Sequence, residues 1–316
     1  MVFRLCFWFA VSTNQEYVFT HHEPLSNWLF PLLKTLPFSF FKLSLVLSAA
    51  LTFIQALLVN RIVSNNKVTV KKNYAAGVLF IIFASFFKEN LLLSPASVAL
   101  TFIILCTARI FSLTKKEKSN GDVFDVGFLV AVATLFYFPC VLFFVFAYIG
   151  MGTVRAFNYR EWTIALLGFL SPFFVLFVFY FWSDKTYLML HDMLNFHDNG
   201  WMLRIPFKFV DWLLIGSLVF ISLAWLTMLP SALYSSLIQV RKFSTALVSM
   251  LLFIGIAFTL QQTISFSHFV LLALPLSVLG AMVLTQIRNA FVTEVIHLIL
   301  ILLVLAGQFL PVLNII

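Results

Sequence analysis

Charge is what this chain lacks. Asp, Glu, Lys and Arg make up 10% of its 316 residues, against the quarter or so usual in soluble domains. That scarcity excludes a soluble enzyme and a disordered chain, both of which depend on ionised side chains. Cysteine is scarce too: Cys6, Cys106 and Cys140 lie far apart in apolar stretches. An odd, dispersed set is neither a disulfide framework nor a zinc site, and all three read as reduced, buried small hydrophobes. There is no glycine-rich phosphate loop, Walker motif or nucleotide-binding pattern. No Ser/His/Asp order stands out. No internal repeat is evident, which weighs against an inverted-repeat transporter.

Hydrophobic residues fill the place of the missing charge, at 62% of the chain with a mean hydropathy of +1.04. This is the composition of an all-α, polytopic transmembrane bundle. A spanning helix takes about 20 residues to cross about 30 Å of hydrocarbon. The chain therefore has room for roughly nine to eleven helices by that measure, and none for a large soluble domain. The 40 phenylalanines read as filling between helices and towards lipid. The net charge of +8 does not point to nucleic acid, because in a membrane protein the placement of Lys and Arg reports topology.

Eight apolar runs read as passes: Phe40–Ile62, the short Tyr74–Phe87, Leu91–Leu113, Trp162–Trp182, Phe209–Leu229, Phe243–Leu260, Phe269–Ile287 and Ala290–Leu310. Helices are expected because lipid offers exposed backbone groups no partner. Between them lies Asp122–Gly152, too long for one straight pass and too short for two. Lys115, Lys116 and Lys118 precede it, and Arg155 and Arg160 follow it. Basic residues at both ends predict a hairpin of two short helices, about 123–136 and 138–153, broken near Pro139. With that hairpin the cytoplasmic side carries Arg61, Lys67, Lys71, Lys72, Arg109, Lys115, Lys116, Lys118, Arg155, Arg160, Arg241, Lys242 and Arg288. The outer side carries Lys34, Lys42, Lys88, Lys185, Arg204 and Lys208. Thirteen against six is a positive-inside pattern.

The chain reads as one integral membrane domain, 1–316. An abbreviated first helix and an outer interfacial segment occupy 1–39, with three prolines and Trp28 suiting Pro24–Phe38 to the interface. A core follows over 40–182, then an outer loop over 183–208 and a C-terminal four-helix part over 209–316.

Polar residues collect on the outer side. Five of six histidines fall there, His21, His22, His191, His197 and His268, while the cytoplasmic acids, Glu294 among them, read as loop charges. Glu16 and Glu23 are the candidate catalytic carboxylates, able to act as acid or base. His21, His22, Lys88 and Glu89 are the candidate substrate-binding groups. The alternative for each is ordinary loop polarity or a surface ion pair of little energetic weight. The His191-Asp192 and His197-Asp198 spacings are not those of a zinc motif, so no metal is assigned and no cofactor is named. His297, inside the last run, is an intramembrane ionisable group and so a functional candidate, against the plainer reading of a histidine bonded to a neighbouring helix.

Two resemblances follow. Ile54-Gln55-Ala56-Leu57-Leu58-Val59-Asn60, Leu93-Ser94-Pro95, Ala108–Leu113, Phe124–Phe128 and Phe157–Trp162 resemble stretches of a family of uncharacterised multi-pass inner-membrane proteins of Gram-negative bacteria. That resemblance covers about 45–185 and implies a bacterial inner-membrane location. More distantly, several features are similar to the GT-C polyprenol-dependent glycosyltransferases. They are the polar first outer loop, the His22-Glu23-Pro24-Leu25 element, the Leu-Ser-Pro helix start and the Gly127–Tyr137 helix opening a short-helix pair. This resemblance implies a GT-C-like bundle acting on a polyprenyl-phosphate sugar at the outer face, with Glu16 or Glu23 as the first-loop carboxylate. Three functions stay open at this point: such a transferase, a non-catalytic subunit bound to other membrane subunits, and a lipid or small-molecule carrier. All three have membrane lipids as partners, and none involves nucleic acid.

Overall fold

The computed structural model describes residues 23–35, 40–69, 73–115, 120–155, 158–187, 209–234, 236–258, 266–287 and 289–309. Among the described residues all regular structure is helical. The helices are α1 (Pro24–Lys34), α2 (Phe40–Asn65), α3 (Ala75–Ala84), α4 (Pro95–Ser112), α5 (Asn120–Phe136), α6 (Leu142–Val154), α7 (Tyr159–Trp182), α8 (Phe209–Leu233), α9 (Ile238–Ala257), α10 (Ala273–Leu284) and α11 (Ala290–Phe309). A 3-10 turn, Phe266–Leu272, runs directly into α10. Among the described residues, seven helical stretches are long and apolar enough to cross a membrane: α2, α4, α7, α8, α9, α10 with its leading turn, and α11. The chain is a multi-pass membrane protein.

The local chemistry sets the helix starts. Pro24 opens α1, where its fixed φ suits the first turn. Ser94 caps α4 in a reciprocal box: its Oγ accepts from Ser97 N at 3.2 Å, and Ser97 Oγ accepts from Ser94 N at 3.1 Å. Asn158 Oδ1 accepts from Arg160 N at 3.1 Å and starts α7.

The 122–152 segment forms two helices in place of one, within a few residues of the expected limits. α5 ends at Phe136, Tyr137 is extended, and a 3-10 turn over Phe138–Val141 leads into α6. α5 runs parallel to α7. An added Cβ on Gly127 would overlap the Ala165 carbonyl and lie 2.8 Å from Phe169 N, and one on Gly168 would overlap the Phe124 carbonyl. Small residues let backbones approach this closely in membrane bundles. α6 returns antiparallel to α7, with Phe144 on Phe169 and Tyr148 on Trp162.

One expected pass is corrected. Tyr74–Phe87 yields only α3, ten residues and so about 15 Å at 1.5 Å per residue, half a span. The Lys88–Leu91 turn and the Ser94 cap take the rest of the segment to bring the chain round into α4. α9 also starts earlier than expected, so Arg241 and Lys242 lie in its first two turns rather than in a loop.

α10 is the axis of the bundle: all twelve of its residues are buried, as an all-round apolar helix requires. Its Gly280 lies 3.1 Å, as an added Cβ, from the Trp225 ring. By contrast only 17% of the apolar stretch of α7 and 22% of those of α8 and α11 are buried within the chain, so these three helices face lipid. A single membrane amide knits α2 to α4: Gln55 Nε2 donates to Ser97 O at 2.7 Å and to Thr101 Oγ1 at 2.8 Å.

The contacts sort the helix ends into two sets. The C-termini of α2, α4, α6, α8 and α10 share one end with the N-termini of α3, α5, α7, α9 and α11. Arg61, Lys67, Arg109, Arg155, Arg160, Arg241 and Lys242 lie there, so it is called the basic end. Cysteines placed at the exposed Asn65 and Tyr234 are expected to react with an impermeant reagent from one face of the membrane, and one at Lys185 from the other. Reaction of all three from the same face sinks this arrangement.

Candidate functional site

At the basic end the charged residues join helices. Arg109 Nη1 contacts Asp122 Oδ1 at 3.1 Å and its Nε contacts Asp125 Oδ2 at 3.3 Å, tying α4 to α5. Arg155 Nε donates to Leu113 O at 2.8 Å and Nη1 to Glu161 Oε1 at 3.0 Å. Lys242 Nζ donates to Val154 O at 3.1 Å, and Arg241 donates to Leu233 O and Tyr234 O. These carbonyls belong to helix C-termini, which lack intrahelical partners, and a cation there also meets the negative end of the helix dipole.

The opposite end holds the polar groups singled out from the sequence. Glu23 precedes α1 and lies over the break between α5 and α6. Its Oε1 accepts from Phe138 N at 3.4 Å, and Ser26 Oγ donates to its backbone carbonyl at 2.8 Å. A carboxylate at the start of the Phe138–Val141 turn satisfies an orphan N–H. α1 is held in place by Leu25 against Leu135 and Leu176, and by Trp28 on Phe179 and Tyr180.

Next to that break, Tyr137 Oη and His268 Nε2 are 3.0 Å apart, both buried. Phe258 packs edge-on to the His268 ring. Phe87 packs at a tilt against Phe266 and Phe269 beside it. Beyond lies the Lys88–Leu91 turn, with Lys88 Nζ 3.9 Å from Glu89 Oε1. Gln308 Nε2 donates to Ser85 O at 2.8 Å, bringing the C-terminus of α11 to the same end.

The expected residues therefore divide. Glu23, Lys88 and Glu89 share one end of the bundle, but the charges acting on Glu89 come from Lys88 and Asp211, while Glu23 engages Phe138. Glu16, His21 and His22 lie outside the described residues, as does most of the 183–208 loop. His268, expected in an outer loop, is buried on Tyr137, and the charge of Asp211 acts on Glu89. Sequence spacing carries no sign of either pairing, since 131 residues separate Tyr137 from His268. Among the described residues, no three of His, Cys, Asp and Glu gather closely enough to hold a metal ion.

Burial raises the Glu89 carboxyl above its ordinary 4.5, its own backbone and Lys88 pull it down, and Asp211 adds to the rise. The folded protein then holds this proton to higher pH than the unfolded chain does. Its contribution to stability is full below pH 4.5 and is lost as pH rises through the raised value. Melting temperature is expected to fall over that range in the wild type, with a flatter profile in Glu89→Gln. Parallel profiles for the two proteins remove Glu89 as the titrating group.

Compared with protein-family models, curated proteins and solved structures, the chain matches none of them.

Proposed function

We propose that this chain is a packed, non-catalytic integral subunit of a membrane assembly, of the bacterial inner membrane. The burial of α10 along its whole length carries this reading. A transferase acting on a lipid-linked sugar needs a cavity that lipid can enter, and the axis of this bundle is filled with its own side chains. The polar groups opposite the basic end hold helices together: Glu23 on Phe138, Tyr137 on His268, Gln308 on Ser85.

A second reading, a GT-C-like glycosyltransferase using a polyprenyl-phosphate sugar, is favoured by one contact. The His22-Glu23-Pro24-Leu25 element meets the break of the short-helix pair through Glu23 and Phe138. In that reading Glu16 or Glu23 takes the acceptor proton, and Lys88 steadies the leaving phosphate.

One preparation distinguishes them. Extracted gently from its membrane, the full chain is expected to migrate in a defined complex larger than its own 36.1 kDa. The purified chain is expected to transfer no sugar from a polyprenyl-phosphate donor. Turnover abolished by Glu16→Gln or Glu23→Gln replaces the subunit reading with the transferase.

A further inference from the structure

A shallow, open groove of about 750 Å3 lies against one face of α11, lined by residues of that helix alone: Thr293, Glu294, His297, Leu298, Ile301 and Leu302. Positions 294, 297, 298 and 301 share a helix face by their spacing of three and four. Glu294 is no loop charge: it lies inside the apolar span Phe291–Gln308. It is exposed, and no hydrogen bond or ion pair ties it to another described residue. His297 bonds within its own helix, its Nδ1 2.8 Å from Thr293 O. A carbonyl only accepts, so Nδ1 carries the hydrogen, and in that tautomer Nε2 is an acceptor.

The groove thus offers a carboxylate and an imidazole lone pair on one side and hydrocarbon on the other. At 1.5 Å per residue from Ala290, Glu294 lies about 6 Å along the axis, His297 about 10 Å and Leu302 about 18 Å. Polar groups near the basic end, giving way to apolar ones with depth, match the layering of a single lipid in that leaflet. An ionised carboxylate in a lipid-facing span is costly without a partner, and two acceptors call for a cation with several N–H donors. A primary ammonium has three.

A second membrane helix fits this face less well. Where this protein docks helices closely it uses glycine, as at Gly127 and Gly168, and α11 turns its own Gly307 inward to within 2.6 Å of Phe86 O, as an added Cβ. The exposed face carries Phe291, Leu298 and Leu302 instead, bulky residues that keep a second backbone away.

We propose that this groove binds a phospholipid with a primary ammonium headgroup, of the phosphatidylethanolamine type, from the leaflet at the basic end. The ammonium sits between Glu294 and His297, and an acyl chain lies along Leu298, Ile301 and Leu302.

The test uses the full-length protein in nanodiscs of equal phosphatidylethanolamine and phosphatidylcholine, which differ in the methylation of the headgroup nitrogen. Retained lipids are counted by native mass spectrometry after mild detergent stripping. The wild type is expected to keep the ethanolamine lipid roughly tenfold over the choline lipid, the scale of one charge-assisted hydrogen bond. Glu294→Gln should bring the ratio to near one, Glu294→Asp should preserve it, and Phe174→Ala on the lipid-facing α7 should leave it unchanged. Should Glu294→Gln fail to fold, His297→Ala serves in its place, with the ratio falling several-fold. Equal retention by the wild type, or a ratio unaffected by these changes, overturns the proposal. Displacement of the lipid by soluble ethanolamine assigns the site to a free amine and overturns it too. So does crosslinking of a partner helix through α11 with no lipid retained.

Discussion

Gly127→Ala is expected to cost about 3 kcal/mol or more of folding stability, at the top of the range for inserting a methyl into a packed core. The new Cβ would overlap the Ala165 carbonyl and lie 2.8 Å from Phe169 N. Both are backbone atoms of α7, so no side chain can swing aside, and relief requires α5 and α7 to part along their length. Gly168→Ala meets the Phe124 carbonyl across the same crossing, with Phe124 Cα at 3.3 Å. Because one separation of the helices relieves both clashes, the double substitution should cost clearly less than the sum of the singles. Gly152→Ala and Gly216→Ala add a Cβ with nothing within 4 Å and are expected to stay within about 0.5 kcal/mol of wild type. Reversible unfolding of the purified protein in detergent reads all five variants. A Gly127→Ala protein as stable as Gly216→Ala leaves no room for the α5–α7 crossing described.

The hairpin of α5 and α6 was legible in the sequence because its evidence is local. Lysines before residue 119 and arginines after 154 mark both ends as one side, and 31 residues between Asp122 and Gly152 fit only a folded-back pair. The half-length α3 was not. Its apolar run extends to Phe87, and only the turn that carries Lys88 and Glu89 back to Ser94 shows where the helix stops. Hydropathy measures what lipid tolerates, not where the backbone turns.

The polar residues show the same division. Their gathering opposite the basic end follows from the positions of the turns. Their pairings do not, because Tyr137 meets His268 only where the turn leading into α10 reaches the break between α5 and α6. Glu294 misled for a different reason. Charge near the end of an apolar run reads as a loop, yet the helix begins at Ala290 and carries Glu294 and His297 onto one lipid-facing side. Their separation of three residues was the available signal.

The basic count was read as topology, and the geometry adds a second role that composition does not reveal. Arg155→Met is expected to destabilise the protein by about 2 kcal/mol, between the figures for exposed and fully buried ion pairs. The arginine and its partner Glu161 are 18% and 16% exposed, so water screens them only in part. Methionine keeps the apolar stem of the side chain and removes its charge and donors. Two groups lose their partner at once: the Glu161 carboxylate and the Leu113 carbonyl beyond α4. Glu161→Gln alone should cost less, because the Arg155 Nε bond to Leu113 survives it. In a double-mutant cycle the pair is expected to show a coupling of about 1–2 kcal/mol, with little change between low and high salt, since screening acts mainly on exposed charges. A coupling within error of zero, or one that salt abolishes, would show Arg155 to be a topology signal only, and the joint between α6 and α7 would have to rest on ring contacts such as Tyr148–Trp162.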